Sequence, residues 1–585
     1  MHPDRLAQRK HRLLTRALPV LLIALTAFAV GIFLGRSSSE EKSIERFVDA
    51  IKSGDYGAMY EQLSADSKSQ YSESEFEKIY EKTAKEAGST SIVAESPLEA
   101  GADPSGDAKL YEVKLGYDSD YFGLIGGTVE FPVASDGIRW EAHLVFPTLK
   151  PGEKVKRSPA IAPPRGDILA SDGTALAKGP ARESPLGDAT AFVGTIGAAG
   201  EDAAKHLEEL GLPADTLVGI DGLELAFDEQ LLGNPGSTLY AEGGDDPRRV
   251  LAEREAETAK PIKTTIDPDL QTAAVTALGD QLGGVAVLDA KTGDIRALAG
   301  IAFSAPQPPG STFKIVTATA GLAERKVALT DEFPVVVSTD AGGRSISNAH
   351  DEPCGGSFVE SFAHSCNTVF APLGVEIGGG HLVDYAERFG FNAKPTLYAD
   401  EFLKRTDPPP SSLPNPINDP VEVGVSAIGQ GAVLATPLEM ASAAQTIANQ
   451  GVRAPTNVVK DEALRSDFEP TTVTTPEVAA DVGVMMRAVV VEGTGQAAAL
   501  ESVDVAGKTG TAELEQKIDP PEPAPGEPPL DPTENQQEQD AWFAGYAPYR
   551  EPELAFAVMI VRTTDDGGVI AAPIAHSILA SVYGQ

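Results

Sequence analysis

Pro308-Pro309-Gly310-Ser311-Thr312-Phe313-Lys314, followed by the uncharged run Ile315 to Ala323, decides how the rest of the chain is read. Two prolines and a glycine interrupt whatever precedes, so Ser311 is expected at the start of a helix. The run behind it is apolar on nearly every face and carries no charge before Glu324. Such a helix is expected to be buried all round, in the centre of a sizeable domain. Residues three apart share a helix face, which puts Lys314 within reach of the Ser311 hydroxyl. A desolvated lysine loses its proton more readily and can serve as the base that activates a serine. The unpaired N–H groups of a helix start also favour negative charge developing nearby. A nucleophile and its base is the chemistry this spacing offers. Spacing alone does not decide it, since Ser39-Glu40-Glu41-Lys42 repeats the pattern at what reads as a solvated juncture.

A chain of 585 residues is too long for one core, so three to four domains are expected. Its 86 acidic residues outnumber 47 basic ones, giving a formal net charge of −39 and arguing against nucleic acid or an anionic membrane surface as partner. The acids are spread along the chain, as on a soluble, self-repelling surface. Two cysteines, Cys354 and Cys366, exclude a disulfide scaffold and a cysteine-rich metal site. Eight scattered histidines with no H-E-x-x-H pattern make a catalytic metal unexpected, and no cofactor is implied.

Residues 1–16 form a basic tail with Arg5, Arg9, Lys10, Arg12 and Arg16, and Ala17 to Gly35 then carries no charge. That is long enough to cross a hydrocarbon core once, with the basic side cytoplasmic and the rest outside. The rival reading is a cleaved signal peptide, with Ala27-Phe28-Ala29 as the cleavage site. An uncleaved membrane anchor is favoured, because apolarity continues through Leu34. Residues 41–149 read as helices followed by strands: Ile44, Phe47, Val48 and Ile51 keep helical spacing, and Ser72 with Glu75 suggests a capping box. Ile138, Trp140, Ala142, Leu144 and Phe146 alternate as in a strand. Residues 150–265 have short elements with polar connections and suit a pedestal. From Asp267 come a capped helix, a hairpin around Ala290-Lys291-Thr292-Gly293, the serine helix and a helical insert to about Ala497. Three strands at Val503 to Glu513, Ala541 to Ala547 and Leu554 to Val561 follow, then a terminal helix. Residues 266–585 are thus expected to form an antiparallel sheet sandwiched by helices, in a multidomain α+β protein. Glu515 to Asp540, rich in Pro, Glu and Gln, reads as a disordered excursion, with Pro520 to Glu538 mobile.

Two further motifs fit the serine. Ser365-Cys366-Asn367 lies in the helical insert and is the only S-x-N of the chain, and Lys508-Thr509-Gly510-Thr511 lies on the first returning strand. The other Lys-Thr-Gly, at Lys291, precedes the serine and fills a hairpin turn. S-x-x-K, S-x-N and K-T-G in this order are the set of penicillin-recognising serine enzymes. The sequence resembles the class B, high-molecular-mass penicillin-binding proteins. Supporting matches are Gly424-Val425-Ser426-Ala427-Ile428-Gly429-Gln430-Gly431, Thr436-Pro437 and Ala541-Trp542-Phe543-Ala544-Gly545-Tyr546, and the one departure is Cys366 inside S-x-N. The resemblance makes 41–149 a nuclear-transport-factor-2-like (NTF2-like) domain, 150–265 the dimerisation or pedestal domain and 266–585 the transpeptidase domain.

The resemblance implies a peptidoglycan D,D-transpeptidase that cross-links stem peptides through a serine acyl-enzyme and is inhibited covalently by β-lactams. It makes Ser311 the nucleophile, Lys314 its base, Ser365 the relay to the departing D-Ala and Asn367 the group that holds the substrate amide and the Lys314 amine. Lys508 would keep Lys314 neutral, and Thr509 and Thr511 would bind the terminal carboxylate. Gly510 would let the substrate lie along the strand, and the N–H groups of Ser311 and Thr511 would form the oxyanion hole. A D,D-carboxypeptidase shares all three motifs, and low-affinity resistance members share the small N-terminal domain. A β-lactam sensor or an idle division scaffold fits the intact motifs less well. Other cell-wall synthesis proteins, such as a glycosyltransferase, are expected partners. Cys354 and Cys366, in an oxidising compartment with Gly355-Gly356 between them, either form a disulfide or stay as two buried thiols; pairing is the expectation.

Overall fold

The computed structural model describes residues 38–104, 106–244, 248–517 and 537–584, so Ala17 to Gly35 lies outside the described residues. Among those described, no helix is long and apolar enough to cross a membrane. The chain forms two compact units.

The first unit begins with helix α1 (Ser39–Ser53), which buries Ile44, Phe47, Val48 and Ile51 as its spacing predicts. Helix α2 (Glu73–Ala87) starts at the Ser72–Glu75 capping box. Strands β1 (Ser89–Ala94), β2 (Leu98–Ala102), β3 (Lys109–Ser119) and β4 (Gly123–Ala134) form a sheet in which β3 pairs with the other three. Beyond Ile138 the expected strand is absent, and Ala142–Val145 is a turn of 3-10 helix. The backbone there is satisfied by the helical layer: Trp140 N donates to Ser67 Oγ (2.9 Å) and Ser64 N to Ile138 O. Val145 is buried along with Leu144 and Phe146, which ends the two-residue alternation.

Residues 150–265 are shared between the units. Residues 199–216 and 233–258 cluster with the first, and 164–198 and 217–232 with the second. In the first unit, Ser237–Gly243 pairs with Glu153–Arg157 and Arg249–Arg254, and Val155, Leu239 and Ala241 join the core of Phe47 and Trp140. In the second, the buried Glu224 carboxylate takes Arg165 (2.8 Å) and Arg182 (2.6 Å).

The second unit holds the long core. Helix α3 (Pro268–Leu278), capped by Asp267, precedes strands β5 (Gly283–Asp289) and β6 (Ile295–Gly300). Helix α4 (Lys314–Ala323) follows, with Lys314 through Leu322 all buried. The insert contributes α5 (Phe358–Ala363), α6 (Asn367–Ile377), α7 (Pro437–Ala448, capped by Thr436) and α8 (Pro476–Val491). It also holds small ribbons, Glu332–Val336 with Cys354–Ser357 and Ser338–Ala341 with Arg344–Ser347, where helix alone was expected. Strands β7 (Ala506–Lys517), β8 (Gln537–Ala547) and β9 (Leu554–Thr563) complete an antiparallel sheet in the order β6-β5-β9-β8-β7, and α9 (Ala571–Tyr583) closes the unit. Strand β7 is an edge, and its free side faces the serine turn.

The pairing of β7 with β8 extends into the stretch read as an excursion, with Glu513 opposite Gln539 and Lys517 opposite Gln537. A ladder needs only backbone groups, so polar composition did not forbid it. Asp540, read as the end of the loop, is buried in β8; burial pushes its carboxyl up to about 6, and it accepts from Arg562 N. Residues 518–536, the bulk of the segment expected to be mobile, lie outside the described residues.

Glu224→Gln leaves two arginines without their full counter-charge in a buried setting. It should lower stability by about 3–5 kcal/mol. Urea unfolding followed by Trp fluorescence would measure this, and a change below about 1 kcal/mol would contradict it.

Candidate active site

Ser311 sits in a single 3-10 turn, Gly310–Phe313, that runs directly into α4. Gly310 has φ 51°, and a Cβ there would stand 2.5 Å from the Thr511 carbonyl oxygen. A Cβ on Gly510 would stand 2.7 Å from the Pro309 carbonyl oxygen. The serine turn and the K-T-G strand therefore pack backbone against backbone, and only glycine fits on either side. Trp542 Nε1, one strand further in, donates to Pro308 O (2.9 Å). Gly510 thus has a packing role that the substrate-centred reading of the sequence did not give it.

Lys314 is fully buried at the mouth of α4. Its Nζ lies 2.9 Å from Ser311 Oγ, 2.7 Å from Ser365 O, 2.7 Å from Asn367 Oδ1 and 3.2 Å from Ser365 Oγ. Carbonyl and amide oxygens only accept, so Ser365 O and Asn367 Oδ1 claim two N–H bonds at the shortest distances. A neutral amine has two such hydrogens, and its lone pair is then left for a hydroxyl proton of Ser311 or Ser365. Burial, and then the charge of Lys508, hold Lys314 well below the usual lysine range. The Phe370 ring, 5.5 Å from Nζ, forms an apolar wall beside it.

The S-x-N segment is held in an uncommon conformation. Ser365 has φ 62° between α5 and α6, and its carbonyl meets the Lys314 amine. Cys366, the N-cap of α6, is buried and disulfide-bonded to Cys354, with Cα atoms 5.4 Å apart. Asn367 Nδ2 donates to Ser347 O (3.1 Å), and Asn348 Oδ1 accepts from Thr368 N (3.0 Å).

Lys508 points inward from β7 and is fully buried, with Nζ donating to Thr509 O (3.1 Å) and lying 5.6 Å from the Phe362 ring. Burial pushes it down to about 7. An incoming anion would raise it again and fix the charge. Thr509 shares a hydroxyl hydrogen bond with Thr494, and Thr511 Oγ1 lies 3.3 Å from Asp566 Oδ1. Gln430 Nε2 donates to Thr511 O (3.4 Å) from off the sheet edge. In an antiparallel ladder the N–H and C=O of one residue point the same way, so the Thr511 N–H also faces outward, beside Ser311.

Ser311, Lys314, Ser365, Asn367, Lys508, Thr509, Gly510 and Thr511 all fall on this one cleft. Lys291 of the second K-T-G stays apart, exposed in the β5–β6 turn. The motifs did not point to Asn348, His350, Thr494, Phe370 or Asp566. They act by contact across the fold and share no spacing with the motifs. Among the described residues no group of His, Cys, Asp and Glu could hold a metal.

Residues 283–580 match the family described as penicillin binding protein transpeptidase domain, slightly more than half the chain. The chain belongs to that family. Residues 39–119 match the NTF2-like N-terminal transpeptidase domain and 177–264 the penicillin-binding protein dimerisation domain. The peptidoglycan D,D-transpeptidase PbpA of Mycolicibacterium smegmatis is 30% identical over 419 residues, 61% of this chain and 77% of that one. The crystal structure of the D,D-transpeptidase domain of a peptidoglycan glycosyltransferase from Eggerthella lenta has a TM-score of 0.55 at 25% identity, covering 72% of this chain and 97% of that one. PBPA from Mycobacterium tuberculosis has a TM-score of 0.54 at 25% identity, covering 72% and 99%.

For this penicillin-binding protein the two lysines set opposite limbs of a pH profile. Lys314, with its lowered pKa, gains a proton only as pH falls through that value, so Ser311 acylation should be lost on the low-pH side. Lys508 sheds its charge as pH rises through about 7, so capture of a carboxylate-bearing penicillin should fall on the alkaline side. The limbs belong to the coupled pair. Lys508→Arg keeps its charge and should shift only the alkaline limb upward. Fluorescent-penicillin labelling rates against pH would check this, and a flat profile would contradict it.

A second expectation concerns the bridge. Replacing Cys354 and Cys366 by alanine should cost about 2–3 kcal/mol on chain-entropy grounds. Because the bridge ends between Ser365 and Asn367, acylation should slow as well, measurable by the same labelling. An unchanged melting temperature would count against it.

Proposed function

We propose that this chain is a peptidoglycan D,D-transpeptidase that works through an acyl-enzyme on Ser311. The observation that carries the reading is the buried Lys314 Nζ, with Ser365 O and Asn367 Oδ1 each 2.7 Å away and Ser311 Oγ 2.9 Å away. Lys314 takes the Ser311 proton as Oγ attacks the carbonyl of the penultimate D-Ala of a stem peptide. The oxyanion that forms lies between the N–H groups of Ser311 and Thr511, where preorganised donors stabilise it without reorganisation. The C–N bond to the terminal D-Ala then breaks, and its amine takes a proton relayed from Lys314 through the Ser365 hydroxyl. Lys508, Thr509 and Thr511 hold the terminal carboxylate. An amine of a second stem peptide next gives a proton to Lys314 and attacks the ester; the acyl–Oγ bond breaks, Lys314 returns the proton to Ser311 Oγ, and the cross-link is left as a new amide.

Among the described residues no carboxylate is hydrogen-bonded to Ser311, Lys314 or Ser365. Water would have to rely on Lys314 alone as its base, and the amine of a second stem peptide is the stronger nucleophile at that same base, which supports transpeptidation over the carboxypeptidase alternative. A β-lactam leaves its own amine tethered, so it traps Ser311 as a covalent adduct. We also propose that Ala17 to Gly35 anchors the chain in the cell membrane with the catalytic unit outside. A glycosyltransferase that supplies nascent strands fits that location as a partner.

Intact mass after benzylpenicillin should show one adduct on Ser311 that persists for many minutes. Ser311→Ala should abolish it, and Lys314→Ala should slow its formation by at least the ~10²–10⁴-fold that general base catalysis contributes. Turnover of benzylpenicillin many times per minute would contradict the reading and make the chain a β-lactamase.

A further inference from the structure

Asp566 lies between β9 and α9, at the outer end of the cleft. Its Oδ1 accepts from Thr511 Oγ1 (3.3 Å) and Gln539 Nε2 (3.2 Å), and its Oδ2 stands 2.8 Å from His350 Nε2. His350 comes from the opposite wall. It belongs to the turn after Ser347 and Asn348, the residues that brace Asn367 and Thr368, and it has φ 55°. The pair thus ties the S-x-N wall to the K-T-G wall. The Asp566 carboxylate raises the His350 imidazole above its ordinary value, and Glu352 and Glu513 add to the effect.

The Thr511 hydroxyl has one proton to give, and in the free enzyme Asp566 receives it. A terminal carboxylate needs the same proton and would bring a second negative charge beside Asp566. We propose that Asp566 is a positioning residue that stands in for the ligand carboxylate at Thr511, with His350 as the counter-charge that draws it aside when the ligand arrives. The pair sets affinity for carboxylate-bearing ligands, the donor peptide and β-lactams alike, and leaves the chemical step alone. This rests on the role given to Thr511 in the proposed function.

The test is saturation kinetics of acylation of the full chain, separating the binding constant from the rate of the chemical step. The ligands are benzylpenicillin and its methyl ester, which lacks the carboxylate. Asp566→Asn removes the charge and Asp566→Ala also frees the hydroxyl. Both should tighten benzylpenicillin binding by about 3–10-fold, the net scale of one ordinary hydrogen bond, with the chemical step unchanged. His350→Gln should weaken binding by a similar factor in the wild type and have no effect in the Asp566→Asn background. The ester should respond to none of them. An unchanged binding constant for folded Asp566→Asn and Asp566→Ala, or a slower chemical step with both ligands, overturns the proposal while Ser311 acylation itself stands. Absence of any wild-type adduct overturns the functional reading and this inference with it.

Discussion

Everything at this site depends on a buried lysine amine that, among the described residues, has no carboxylate to keep it charged. Lys314 lies at the head of an apolar helix whose first nine residues are buried, and its nearest partners are two oxygens that can only accept. A lysine in that position is costly to keep protonated. Burial, and then the charge of Lys508, favour the neutral amine, and a neutral amine facing a serine hydroxyl is a base. The left-handed Ser365 and the disulfide at Cys366 follow from the same demand, since the Ser365 carbonyl must stay turned inward. Lys508 reinforces it from the strand edge.

The second constraint is the contact between the serine turn and β7. With Gly310 and Gly510 each less than 3 Å from an opposing carbonyl oxygen once a Cβ is added, neither element can shift without the other. That contact holds the Ser311 and Thr511 N–H groups, the proposed oxyanion hole, in register. It also explains why an edge strand of a buried sheet can serve as a binding surface: its outward N–H and C=O groups stay unpaired by any neighbouring strand.

Much of this was legible in the sequence because the motif residues bring their own periodicities. The i,i+3 spacing of Ser311 and Lys314 and the strand pattern around Lys508 fixed both local structure and chemistry. The helix phases of α1 and α2 read equally well, through regularly spaced apolar residues and a capping box. The misreadings have a common physical origin. Ile138 to Phe146 alternates like a strand, yet its backbone bonds to Ser64 and Ser67, partners more than 70 positions away in sequence that no local pattern reveals. The ladder from Glu513 to Lys517 hides in polar residues because backbone pairing leaves no mark in composition. His350 and Asp566 escaped for the same reason, being single residues 216 positions apart that meet only in the folded chain.

The measurement closest to the central claim is the protonation state of the Lys314 amine itself. Nitrogen-15 NMR of lysine-labelled protein, with Lys314 assigned by its absence in Lys314→Ala, reads this directly. The Lys314 Nζ should lose its ammonium signal at a pH well below that of an ordinary lysine. An ammonium signal persisting from pH 7 to pH 9 would contradict the account, because Ser311 would then have no base.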